Sequence, residues 1–184
     1  MADKSWVDEV LGFWFGELTK EDWYAGEASV DEKIRSRFLS LYEELKGSFK
    51  IDEVDDARTA LAATIVFDQF PRNMFRKSAA AFGTDDIAIG IARRAVEHDF
   101  GNGMSPEEKQ FLYMPFMHSE VSADQERCVD LFRMLGNEDG LKYAIEHRDI
   151  VAAYGRFPHR NRVLGRESTS AETEFLKGHA GYGQ

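Results

Sequence analysis

Between Gly155 and Arg166 the chain carries Arg156, Arg160, Arg162 and Arg166 with no Asp or Glu among them. Against a net charge of −10 this is a local reversal of sign. A guanidinium is a fixed fork of donors that matches a carboxylate or a phosphate. These arginines surround the phrase Phe157-Pro158-His159-Arg160-Asn161, which echoes Phe70-Pro71-Arg72-Asn73 with Arg76 close behind. The echo predicts that the two phrases meet around one polar pocket for a small anion or an acidic peptide. Arg72, Arg156, His159, Arg160 and Arg166 would bind it. Asp68, Glu120 and Asp124 would hold the arginines, with Asn73, His147 and Asn161 in support. The bland alternative is internal pairing, because a buried charge needs a partner.

Acid–base chemistry is the second possibility. Asp68 follows Leu61 and Ile65 on a segment that reads as buried on all sides, so its carboxylate must anchor a neighbour or titrate abnormally. His118 precedes Glu120 by two residues, and His147 precedes Asp149 by two. His118 or His159, oriented by Glu120 or Asp68, could serve a hydrolase or lyase as general acid or base. That requires a histidine within reach of a carboxylate at the floor of an open pocket.

Other chemistries have little support. No His-x-x-x-His pair is present, and nearby arginines oppose a cation, so no metal is expected. There is no Gly-x-Ser-x-Gly elbow, no phosphate loop and no dinucleotide fingerprint, and no cofactor is expected. Cys128 shares an apolar row with Leu131, Phe132 and Leu135 and reads as an inert buried thiol. Trp6, Trp14 and Trp23 read as core, or less readily as a binding patch.

The 184 residues, 43% hydrophobic and 30% charged, suit one globular domain over 1–184. The acidic balance argues against nucleic acid and against anionic membranes. A single cysteine and no recognisable leader fit a cytoplasmic protein.

The elements that must position these residues all read as helices, about eight, paired side by side. They are expected near 5–16, from Asp31 to Gly47, 54–69, 84–98, from Ser105, from Ser122 to Gly136, 138–154 and 169–177. Pro71 should end the third helix at Phe70, and Pro115 should kink or split a later one. Residues 17–29 read as turn, and the tail from about 178 as frayed.

The phrases DQFPRN, FLYMPFMHSE, ADQER, HRDIV and GRFPHRNRVLGREST, with VLGFWFGE near the start, together resemble the bacterial family called domain of unknown function 924. The resemblance spans nearly the whole chain. It implies a compact all-helical fold similar to tetratricopeptide-like superhelices, which raises a protein-interaction module as a third possibility, and it implies no activity. This chain has Lys77-Ser78 where the family pattern has Gly-Thr, and Ala153-Tyr154 where it has a basic residue and Phe.

Overall fold

The computed structural model describes residues 5–179 and 181–183, and every regular element among them is helical. Helix α1 (Ser5–Leu11) runs into a π turn (Gly12–Glu17), followed by α2 (Lys20–Ala25) and α3 (Ala28–Ser48). Helix α4 (Ala57–Thr64) continues through a second π turn (Ile65–Gln69) into α5 (Phe70–Met74). Then come α6 (Asp85–Glu97), α7 (Pro106–His118), α8 (Ser122–Leu135), α9 (Glu138–Tyr154) and α10 (Ser170–Gly178). Among the described residues no helix is long and apolar enough to cross a membrane.

Helix α4 is the hub, as its all-round apolar sequence predicts. Thr59 through Thr64 are all buried, and α1, α6 and α7 pack around it. Helices α7, α8 and α9 follow one another through short links and pack side by side. The main core gathers Phe13, Trp14, Phe38, Phe67, Phe70 and Phe111. Phe70 is fully buried and stacks on Phe38 at 4.7 Å.

Several local expectations need correction. The segment read as turn contains α2, started by a reciprocal cap between Thr19 and Asp22. Helix α3 begins at Ala28, so Asp31 lies in its first turn instead of capping it. Pro115 sits inside α7 without splitting it. Ser122 forms no cap. The Gln125 carboxamide turns back and donates to the carbonyls of Phe116, Met117 and Ser119, closing the end of α7. Within the tail, the ring of Tyr182 stacks on His147 at 4.4 Å; Ala180 and Gln184 lie outside the described residues. Ser105 and Thr169 cap α7 and α10 through reciprocal bonds, and left-handed Gly136 and Gly155 stop α8 and α9.

The correction at Pro71 matters most. The helix does not end at Phe70, which keeps right-handed helical angles (φ −59°, ψ −45°). A π turn inserts one extra residue, and Phe70 N–H donates to the carbonyl of Ile65. Proline has no N–H to offer the turn before it, and side chains satisfy the carbonyls there. Thr84 Oγ1 donates to Phe67 O at 2.7 Å, Arg72 to Asp68 O at 2.8 Å, and Asn73 to Gln69 O at 2.9 Å. Thr84 therefore spends its hydroxyl on α4's continuation and gives α6 no side-chain cap.

Candidate functional site

The π turn places Asp68 against the C-terminal end of α7. Asp68 is fully buried, and His118 Nδ1 donates to its Oδ1 at 2.7 Å. Gln69 Nε2 donates to Oδ2 at 2.6 Å, and Arg72 stands 3.4 Å from Oδ1. Burial works to raise the Asp68 carboxyl, but His118, Arg72 and the hydrogen bonds outweigh it and hold it down at about 2. The imidazole of His118 is lowered from 6.5 by burial and by Arg72, against the pull of Asp68. An ionised carboxylate only accepts, so Nδ1 carries the proton and neutral His118 keeps a lone pair on Nε2.

Both Phe-Pro phrases converge on Asp85. Phe70 and Phe157 are each completely buried, and each is followed by a proline opening a helical turn. Arg72 grips Asp85 through two bonds, at 2.8 and 3.1 Å. Arg160 reaches Asp85 at 3.4 Å and donates to His118 O at 3.1 Å. Its guanidinium lies 4.6 Å from the ring centres of both Phe82 and Phe157. Burial, then Arg72, lowers Arg160 to about 10, which leaves it charged at neutral pH. Two buried arginines and two carboxylates thus balance.

His118 borders a cavity of about 900 Å³. One face of α7, from Pro106 through Gln110 and Met114 to His118, forms its floor, a length of about 18 Å at 1.5 Å per residue. Trp23, Tyr24, Gln69, Arg72 and Asn73 make one wall; Phe132, Leu135, Tyr143 and His147 make another. Lysine and arginine side chains in these walls are paired: Lys20 with Glu107, Arg72 with Asp85, Arg76 with Asp31. His147 donates Nδ1–H to Tyr143 O at 2.8 Å, and burial pushes it down to about 3, so it too is neutral with Nε2 unprotonated. No Ser, Thr or Cys is among the described residues lining the cavity. This arrangement suits proton transfer to or from a bound molecule, without a covalent intermediate on a hydroxyl or thiol.

The other expected residues fall elsewhere. Arg156 is held by Glu172 at 2.7 and 2.9 Å and by Glu167 O at 2.8 Å, all within the C-terminal segment. Arg166 pairs with Glu120, whose carboxylate also accepts Phe157 N–H at 2.7 Å. Asp124 engages Arg93 and Ser119 and none of the arginines in the two phrases. His159 sits among Phe157, His179 and Tyr182, outside the cavity wall, and burial lowers it to about 3. Asn161 donates to Ser168. Cys128 is buried and its thiol is pushed up to about 12, as an inert core residue should be. Among the described residues no three His, Cys, Asp or Glu side chains group as metal ligands.

Sequence reasoning missed Asp85, which lies outside both Phe-Pro phrases, in the first turn of α6. It also missed Gln69, though that residue stands beside Asp68 in DQFPRN. A second cleft of about 500 Å³ beside Phe49, Ile51 and Gly90 has Arg93 and Arg94 in its wall, tied to Asp124 and to Val54 O.

A family model described as bacterial protein of unknown function (DUF924) matches residues 10–180. A solved structure of a protein of unknown function from Agrobacterium tumefaciens is similar, at 34% identity and a TM-score of 0.87, over 94% of this chain and 97% of that one. No curated protein matches.

Proposed function

This chain belongs to the DUF924 family of bacterial proteins of unknown function, and for it we propose acid–base catalysis on a small organic molecule, of hydrolase or lyase type. The supporting observation is the 2.7 Å contact between His118 and buried Asp68 at the wall of the large cavity. Nε2 of His118 takes a proton from a bound water or from the substrate. Asp68 steadies the imidazolium that forms, and the proton then returns to the leaving group. The base is ready at neutral pH because burial and Arg72 keep His118 unprotonated.

The anion-binding reading has less support. The Arg72 and Arg160 guanidinium groups already face Asp85 and the carbonyls of Asp68 and His118. Each guanidinium keeps an unpartnered Nε–H, but that group is buried, so an anion would have to displace the existing bonds to reach it.

The test is turnover of p-nitrophenyl acetate, p-nitrophenyl phosphate and p-nitrophenyl glycosides by the wild type, His118→Asn and Asp68→Asn. For a probe that is turned over, His118→Asn is expected to lower kcat by about 10²- to 10⁴-fold, the usual worth of a general base. Turnover indifferent to both substitutions refutes the assignment.

A further inference from the structure

The polar end of the cavity offers lone pairs more than N–H groups. Asp68 fixes Nδ1 of His118 as the protonated nitrogen, and the Tyr143 carbonyl does the same for His147. Each imidazole therefore presents Nε2 as an acceptor. Gln69 spends its amide nitrogen on Asp68 Oδ2 and on Met114 Sδ at 3.2 Å, which leaves Oε1. Among the described residues none of these three acceptors has a protein donor, and all three residues border the cavity. Polar atoms beside a cavity that lack protein partners await a ligand or water.

Charge narrows the class. An anion would meet lone pairs, with the Arg72 and Arg76 guanidinium groups of the lining already engaged by Asp85 and Asp31. A cationic donor such as an ammonium at these three acceptors would meet Arg72, which follows Gln69 by three residues; the Asp139 carboxylate of the lining belongs to α9, in the other wall. A neutral molecule with several O–H groups fits both conditions. A hydroxyl also accepts, and Asn73 keeps one amide hydrogen after donating the other to Gln69 O. The remaining surface is ring-rich, with Trp23, Tyr24, Phe132, Tyr143 and Tyr182. Such faces pack against the C–H side of a saturated ring.

We infer that the cavity takes a neutral polyhydroxylated ring, the chemistry shared by saccharides and by the ribose of nucleosides, with its hydroxyls donated to His118 Nε2, His147 Nε2 and Gln69 Oε1. The inference rests on the same cavity as the proposed acid–base chemistry and supplies its substrate class. The roughly 18 Å floor leaves room for more than a single ring.

Calorimetry and saturation-transfer NMR with glucose, maltose and adenosine, set against inorganic phosphate and citrate, form the test. At least one neutral probe is expected to bind, and maltose against adenosine separates the two sources of the ring. His147→Phe keeps an aromatic face but deletes one acceptor, and should weaken binding about five- to tenfold. Gln69→Met deletes another acceptor and serves if His147→Phe does not fold. Binding of the anions alone, no binding by any neutral probe, or equal binding by both folded variants overturns the inference. Binding is read separately from turnover. A neutral ligand bound by a protein whose turnover ignores His118 sinks the catalytic reading and leaves this one standing. Citrate binding with His118-dependent turnover does the reverse.

Discussion

At the scale of single residues, Asp68 is an ionised carboxylate inside a helical core. It is tolerated because His118 and Gln69 donate to it and Arg72 stands beside it. Removing it leaves Arg72 and Arg160 with only Asp85 between them. Asp68→Ala is expected to lower unfolding free energy by about 3–5 kcal/mol, the usual result of breaking a buried ion pair from one side; urea denaturation measures it, and a loss under 1 kcal/mol contradicts the pairing. Asp68 was legible because a carboxylate amid apolar residues demands a partner. The sequence leaves its partner open between His118, 50 positions away, and His159, and only packing decides for His118. Arg156 misled for the reverse reason. Glu172 reaches it only because Thr169 starts a helix whose first turn brings that carboxylate back.

At the scale of elements, the π turn at Ile65–Gln69 and the proline after it create the site together. Rules that stop a helix before proline assume an unbroken ladder of α-helical bonds. Here Thr84, Arg72 and Asn73 satisfy the carbonyls, and all three lie beyond Pro71 in sequence. Thr84→Val should leave the Phe67 carbonyl without its donor and cost about 1–3 kcal/mol, read by thermal and urea melts; an unchanged melt means the hydroxyl is not needed. Lys77 has φ 63°, in the left-handed region. A left-handed residue with a Cβ is strained by about 1–2 kcal/mol, and Gly gives back part of that through unfolded-state entropy. Lys77→Gly is therefore expected to raise stability by about 0.5 kcal/mol, seen as a higher Tm; a lower Tm contradicts the strain.

At the scale of the whole molecule, buried histidines make the fold sensitive to acid. His147 and His159 are both held at about 3, in each case by burial first, with Arg160 adding to it. In the unfolded chain they return to about 6.5. The unfolded state therefore binds more protons as pH falls below 6.5, and stability drops through the window from 6.5 toward 3. Asp68, held at about 2 against 3.8, removes a further contribution at the acid end. Urea midpoints measured from pH 7.5 to 4 should fall steadily. A flat profile would show these histidines free to titrate in the fold.

The all-helical fold was readable throughout, because apolar periodicity and caps are local signals. The cavity was not. Its floor is one face of α7, but its walls come from α2, α5, α8 and α9, and only packing brings them together. The most direct measurement is a pH series of histidine ring ¹⁵N spectra on the full chain, assigned by His118→Asn. The expected result is a neutral His118 at pH 7 with the proton on Nδ1 and Nε2 bare. A doubly protonated ring at pH 7, or a proton on Nε2 with Nδ1 bare, would contradict the role given to Asp68 and His118.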